Sequence, residues 1–265
     1  MMHSMIHRLA VTTLAGAWLV ATAVLAQPIA AASNLDVVQK NGVLRICTPG
    51  DYKPFSFQKP DGAFEGIDVD LMASLTGSLA VKPEWVKTSW ANLIADMTGG
   101  KCDMAVGGIS VTTERQKRVF FSSPYMVNGK APLARCADVS KYQSVADIDK
   151  PTTRVIVNPG GSNERFARAN FKQAQLRVNP ENLTIFDEIL ANRADVFVTE
   201  SAEAITQERL KPGLCAVNPN KPLQYGEMAY LLPRGDVSFK AYVDQWLHLA
   251  KASGEYQRIE GQWLK

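Results

Sequence analysis

A chain of 265 residues with 29 basic and 26 acidic side chains has a formal net charge of only +3. That balance argues against a dedicated nucleic-acid or membrane-surface role, so the informative charges are local ones. The length gives room for one large or two small domains.

The first 32 residues differ from the rest. His7-Arg8 supplies a short positive start, and Leu9 to Leu25 is almost wholly apolar or small. Val24-Leu25-Ala26 and Ala30-Ala31-Ala32 each offer small residues suited to signal-peptidase cleavage. This pattern predicts a secretory signal over 1–32, cleaved after Ala26 or Ala32, and therefore a periplasmic protein. No other stretch approaches the ~20 apolar residues that a spanning helix needs. Cleavage leaves about 230 residues and removes one counted charge, Arg8.

The remainder alternates strand and helix patterns. Val43 to Cys47 reads as a strand ending in the turn Thr48-Pro49-Gly50-Asp51. Helical spacing follows over 68–79, strand character over 81–87, and a helix over 90–98 that Gly99-Gly100 stops. Met104-Ala105-Val106 runs into Gly107-Gly108, and a new helix opens near Thr112. The pattern restarts after about residue 132, with a strand at 154–157, a turn at 158–161 and a helix at 162–171. A helix at 183–192, a strand at 195–199 and a helix at 201–210 follow. The chain closes with a strand at 229–232 and an amphipathic helix at 237–252. Such alternation predicts an α/β fold with parallel sheets covered by helices. Two halves and a late return strand predict two lobes, 33–129 plus 225–265 and 130–224, with crossovers near 128–133 and 221–228.

Ligands of open α/β sheets gather at the carboxyl ends of the strands. At one such end lies Gly107-Gly108-Ile109-Ser110-Val111-Thr112-Thr113-Glu114-Arg115. Its glycines let backbone N–H groups approach an anion, Thr112 can cap the next helix, and Arg115 offers a fork that matches a carboxylate. The turn Asn158-Pro159-Gly160-Gly161-Ser162-Asn163 repeats the device in the second half. Lys130, in the Asn128-Gly129-Lys130 crossover, is placed to add positive charge between them. Trp90, Tyr52 and Phe55 fall near predicted strand ends and could line a cleft. Glu200 ends a strand and Glu203 lies three positions on, so both can face that cleft. No nucleophile–base pair, Walker loop or metal motif competes with these residues, and neither a metal nor another cofactor is expected.

Export permits disulfides. Cys136 and Cys215 lie near the two ends of one segment, which suits a bridge closing the second lobe, and Cys47 with Cys102 could make a second pair. Sequence alone allows three connectivities for four cysteines.

The run Trp90-x-x-Leu93, Lys101-x-Asp103, Gly108-Ile109-Ser110, Glu114-Arg115 and Phe121-Ser122-x-Pro124-Tyr125 resembles the polar amino-acid type of extracellular solute-binding protein, family 3, over roughly 38–265. The resemblance implies a periplasmic binding protein-like fold (type II), with two α/β lobes and a cleft between them. It also implies Arg115 as the ligand-carboxylate holder, and Glu200 at the position of the amine-binding acid, which is usually Asp.

A narrower resemblance is carried by Gly50-Asp51-Tyr52-Lys53-Pro54-Phe55-Ser56, Asn128-Gly129-Lys130, Ile156 to Gly161 with Asn163-Glu164, and Tyr242 to His248. These runs look like the periplasmic cyclohexadienyl dehydratases, a catalytic branch of that fold. Those enzymes convert prephenate to phenylpyruvate, and arogenate to phenylalanine, with loss of water and carbon dioxide. The resemblance implies Glu203 as general acid, with Lys130, Asn163 and Trp90 shaping the site. Cys136 and Cys215 match cysteines of that branch, which supports their pairing, whereas Cys47 and Cys102 look peculiar to this chain. Ser110, Asn158, Asp51, Thr184 and Phe186 complete the candidate binding set. The expected partner is a small dicarboxylate. No nucleic acid, membrane or transporter is expected, and homo-oligomerisation stays open. The alternative is a non-catalytic amino-acid-binding subunit of an ABC transporter. A sensor module is disfavoured, since no tether or signalling segment follows Lys265.

Overall fold

The computed structural model describes residues 32–264, so all of the expected signal segment except Ala32 lies outside the described residues. Helix α1 (Asn34–Asn41) leads into strand β1 (Val43–Thr48). A short meander, β2 (Asp51–Tyr52), β3 (Ser56–Gln58) and β4 (Phe64–Glu65), precedes α2 (Ile67–Leu79). Then come β5 (Lys82–Lys87), α3 (Leu93–Thr98), β6 (Met104–Ala105), α4 (Thr113–Gln116) and β7 (Phe120–Phe121). The long β8 (Met126–Arg135) carries the chain into the second lobe. That lobe holds α5 (Val145–Ile148), β9 (Arg154–Val157), α6 (Ser162–Asn170) and β10 (Gln175–Val178). It continues with α7 (Ile185–Leu190), β11 (Val196–Glu200), α8 (Ser201–Leu210) and β12 (Leu214–Ala216). β13 (Gln224–Met228) returns beside β8, and β14 (Leu231–Leu232), α9 (Val237–Ala252) and α10 (Glu255–Trp263) complete the first lobe.

Each lobe is built on one sheet. The first has the order β5-β1-β6-β14-β7, and the second β10-β9-β11-β8-β12 with β13 paired to β8. β1 runs parallel to β5 and β6, as β9 does to β10 and β11, while the return strands are antiparallel. The two expected crossovers are thus one structure, the antiparallel pair β8/β13, with Lys130 opposite Gln224 and Met126 opposite Met228.

Both faces of each sheet are covered, as the period-two pattern of the strands requires. In the second lobe Val155, Val157, Val196 and Val198 pack on one side, whereas Ile156 and Phe197 pack on the other with Leu133 and Phe186. In β1, Leu44 and Ile46 enter the core beneath α2 and α9, while Cys47 faces Leu93 and Met97. Local chemistry sets the helix starts: Thr112 caps α4 by accepting from the Arg115 N–H at 3.2 Å. Asp236 caps α9 and also accepts from Ser33 Oγ and the Asn34 N–H, tying α1 to α9.

Both cysteine pairs close, Cys47 with Cys102 and Cys136 with Cys215, at sequence separations of 55 and 79 residues. Cross-linking loops of this length removes about 4 kcal/mol of unfolded-state entropy each in the chain-entropy account. Replacing Cys47 and Cys102 together by Ala is therefore expected to lower the unfolding free energy by about 2–4 kcal/mol with the fold retained. Guanidinium unfolding followed by circular dichroism, compared with the parent chain, measures it.

Candidate active site

Between the lobes lies a narrow cavity of about 20 Å³. The first lobe lines it with Tyr52, Trp90, Gly108 and Ser110, and the second with Asn158, Gly161, Ser162, Asn163, Asn182, Glu200 and Glu203. The lobes meet around it. Ser110 Oγ donates to Glu200 Oε1 at 2.6 Å and lies 3.0 Å from Ser162 Oγ, and Asn182 Nδ2 donates to the Asp51 carbonyl at 3.1 Å. Gly160 comes so close to Ala91 that a Cβ there would lie 2.7 Å from the Ala91 Cα, and its φ of +74° also favours glycine.

The antiparallel register of β11 on β8 sets Glu200 opposite Lys130. Lys130 Nζ donates to Glu200 Oε1 at 2.6 Å, to Asn163 Oδ1 at 2.5 Å and to Ser162 Oγ at 2.9 Å, so all three of its donors are used. Burial holds its pKa below the ordinary lysine value, against the pull of Glu200. Asn163 Nδ2 passes the network on to Thr199 Oγ1 at 3.1 Å, and the Thr199 hydroxyl donates to Glu203 Oε2.

Glu203 sits in the first turn of α8 and is 1% exposed. Burial raises its pKa to about 8, outweighing the Thr199 hydrogen bond, and Asp51 and Glu200 add to the rise. Lys130 opposes the shift only weakly, its charge being spent on Glu200. The carboxyl is thus mainly protonated at neutral pH, and its second oxygen, Oε1, has no hydrogen-bond partner. Among the described residues, six buried side-chain polar atoms are unpartnered, and three of them belong to residues lining this cavity: Glu203 Oε1, Tyr52 Oη and Asn182 Oδ1.

Arg115 is buried and does not itself line the cavity; its Nη1 donates at 2.8 Å to the carbonyl of Ser110, which does. Burial lowers its pKa to about 10, with Arg165 contributing, so it remains charged at neutral pH. Among the described residues no carboxylate forms an ion pair with it.

Two expectations meet a different arrangement. The glycine N–H groups read as anion donors are taken by the chain's own acids. Gly107 and Gly108 donate to Asp68 Oδ2 at 2.7 and 2.8 Å, and Gly160 donates to Glu164 Oε2 at 2.7 Å. The positive charge for a ligand therefore rests on side chains. Thr184 and Phe186 are not brought to the cavity. Thr184 is held at the surface by Asn179 and the Glu181 carbonyl, while Phe186 is 1% exposed in the second-lobe core against Phe197. Helical periodicity there gave no way to tell core face from cleft face. Trp90, Ser110, Asn158, Asn163, Glu200 and Glu203 do line the cavity, and Asp51 holds Trp90 by accepting from its indole N–H at 2.9 Å.

Two lobes of this architecture, hinged by paired strands around a polar cleft, define a solute-binding protein. The chain belongs to the bacterial extracellular solute-binding proteins, family 3, whose pattern it matches over residues 44–265. A cyclohexadienyl dehydratase of Pseudomonas aeruginosa is 47% identical over 233 residues, covering 88% of this chain and 87% of that protein. An L-cystine-binding protein of Escherichia coli is 23% identical over 87% of this chain and 85% of its own length. Among solved structures, an ancestral amino-acid-binding protein described as a precursor of cyclohexadienyl dehydratase superposes with a TM-score of 0.82 at 34% identity, covering 88% of this chain and all of its own. An ancestral cyclohexadienyl dehydratase is 47% identical, with a TM-score of 0.56 and coverage of 88% of this chain and 97% of its own.

Removing the Lys130 charge alone leaves Glu200 buried without a cation. Lys130→Met is expected to destabilise the chain by about 3–5 kcal/mol, and Lys130→Met with Glu200→Gln to recover much of that loss. Urea unfolding of both variants beside the parent tests the coupling.

Proposed function

We propose that the chain is a periplasmic dehydratase that converts prephenate to phenylpyruvate, and arogenate to phenylalanine, with Glu203 as general acid. The observation that carries this reading is the protonated carboxyl of Glu203, which lines a cavity with one oxygen unpartnered. Its dehydratase relatives, at 47% identity, point the same way.

Prephenate is a dianion, and losing its ring hydroxyl and ring carboxylate aromatises the ring. The chain needs to supply one proton and hold the geometry. Glu203 gives its proton to the hydroxyl oxygen, and the C–O bond breaks with its electron pair leaving on water. The electrons of the ring–carboxylate bond enter the ring as carbon dioxide departs. Glu203 is left as a carboxylate that regains a proton from solvent. Arg115 answers negative charge on the substrate, Lys130 and Asn163 shape the site through their hydrogen bonds, and Trp90 provides a wall for its ring. The lobes, drawn at 33–129 with 225–265 and at 130–224, close on the substrate through β8 and β13.

The receptor alternative requires Glu200 to receive a ligand's ammonium group. Lys130 Nζ already lies 2.6 Å from that carboxylate, and Ser110 donates to the same oxygen. This disfavours a free amino acid as the resident ligand.

Purified chain is expected to release phenylpyruvate from prephenate, read by its ultraviolet absorbance. Glu203→Gln should lower kcat by at least about a hundredfold, and unimpaired turnover by that variant would sink the general-acid role. Because the acid form works, activity should hold below pH 8 and fall as pH rises through about 8. The stability effect has the same sign. A folded-state pKa raised above its unfolded value for a carboxyl means that the folded chain holds a proton the unfolded chain has lost. Stability therefore declines between the unfolded carboxylate pKa and about 8. Melting temperature against pH should be flatter for Glu203→Gln than for the parent.

A further inference from the structure

Three buried polar atoms without partners belong to residues lining one cavity, and the proposed chemistry uses only one of them. Tyr52 is 4% exposed and Asn182 7%, so neither polar group has ready access to bulk water. An unpaired buried hydroxyl or amide oxygen carries a desolvation cost that no hydrogen bond offsets, which makes two beside an unpaired carboxyl oxygen an unusual concentration.

Both groups are held in place. The Tyr52 ring stacks on Phe55 with centroids 5.3 Å apart and meets Trp90 edge-on at 5.6 Å. Gly108 makes room for it: a Cβ there would lie 2.5 Å from Tyr52 Cε1. The ring cannot swing its hydroxyl elsewhere without leaving this packing. Asn182 has its orientation set by chemistry. The Asp51 carbonyl can only accept, so Nδ2 must face it and Oδ1 must face away. Among the charges that act on the Tyr52 hydroxyl, that of Glu203 acts most strongly, and Thr199, whose hydroxyl donates to Glu203, acts on it too, which puts the hydroxyl and the carboxyl in one neighbourhood.

Together they offer a donor, an acceptor and an acid proton. A ring hydroxyl has two lone pairs and one hydrogen, and its complement is a proton for one lone pair, a donor for the other and an acceptor for the hydrogen. We infer that Tyr52 and Asn182 form, with Glu203, a cradle for the substrate's ring hydroxyl, Tyr52 Oη donating to the oxygen and Asn182 Oδ1 accepting its hydrogen. Both hydrogen bonds persist as the hydroxyl becomes water, so the cradle holds the leaving group while Glu203 protonates it. Arg115 recognises charge, whereas this cradle recognises the hydroxyl. The inference rests on the dehydratase reading for its substrate, though its binding half can be tested without turnover.

The test uses prephenate and phenylpyruvate, the second lacking the hydroxyl. Tyr52→Phe removes one oxygen and keeps the ring packing. It is expected to lower kcat by about tenfold to a hundredfold, with KM changed less than threefold and the melting temperature unchanged. In a Glu203→Gln background, where no proton can be transferred, calorimetry should show Tyr52→Phe and Asn182→Ala each weakening prephenate by about fivefold and phenylpyruvate by less than twofold. Equal weakening of both ligands by Asn182→Ala would assign its effect to the lost contact with Asp51 and remove it from the cradle. If Tyr52→Phe leaves kcat within twofold and prephenate affinity unchanged, the cradle is wrong. A parent chain that makes no phenylpyruvate overturns the dehydratase reading, and the binding comparison then still decides the cradle. Failure of prephenate to bind the Glu203→Gln chain overturns both.

Discussion

Inside the cleft, burial decides the protonation of Glu203, because the buried Lys130 is engaged with another carboxylate. Lys130 is buried and must have acceptors for all three of its N–H bonds. The antiparallel register of β8 on β11 supplies Glu200 directly opposite, and the start of α6 supplies Ser162 and Asn163. With its charge answered there, Lys130 does little for Glu203 one helical turn further on, and desolvation governs that carboxyl. Had the lysine paired with Glu203 instead, Coulomb attraction would have favoured the carboxylate and removed the proton that the chemistry needs. Glu203 thus keeps its proton through a hydrogen-bonding choice made three residues away, at Glu200.

The glycine-rich turns show the same economy of charge. Each lobe places backbone N–H groups at a strand end, where they would ordinarily meet an external anion. Here Asp68 and Glu164 occupy those donors from within the chain. Asp68 fastens the 107–108 turn from beneath, and burial raises its pKa to about 6 against three hydrogen bonds that lower it. With those donors taken, the proposed reading leaves recognition of negative charge to Arg115. Its guanidinium is buried with a neutral carbonyl as its hydrogen-bond partner, a desolvated cation that an incoming carboxylate would complete.

Much of this was legible in the sequence where period and capping agreed. The helices at 67–79, 201–210 and 237–252 and the strands at 43–48, 154–157 and 196–200 fall within a residue or two of their expected places. Short elements escaped. The β2–β4 meander has two or three residues per strand, too few for alternation to register, while β10 is an edge strand of mixed polarity and β12 an edge strand of only three residues. Trp90 reads as a helix start, yet regular helix begins at Leu93, because Ser89 and its neighbours first form a turn. At the site, Glu203, Lys130, Asn163 and Asn158 stood out through motif and spacing. Asn182 did not, since it lies in no motif and reaches the cleft only through tertiary folding. Tyr52 was visible as an aromatic near a strand end, but nothing in the sequence distinguishes a ring used for packing from a hydroxyl left unpaired.

An acid made by burial works only while water is kept away from it. The groups around Glu203 come from both lobes, Tyr52 and Trp90 from one and Asn163 and Asn182 from the other. Neither lobe alone could desolvate the carboxyl, so the pKa near 8 belongs to their contact, through Ser110 with Glu200, Asn182 with Asp51 and Gly160 against Ala91. Separation of the lobes would rehydrate Glu203 and return it toward an ordinary carboxylate. In the proposed reaction, that same separation would let the spent acid exchange protons with solvent. Closing two lobes joined by one paired ribbon would, in the same proposed reaction, capture the ligand and arm the acid together.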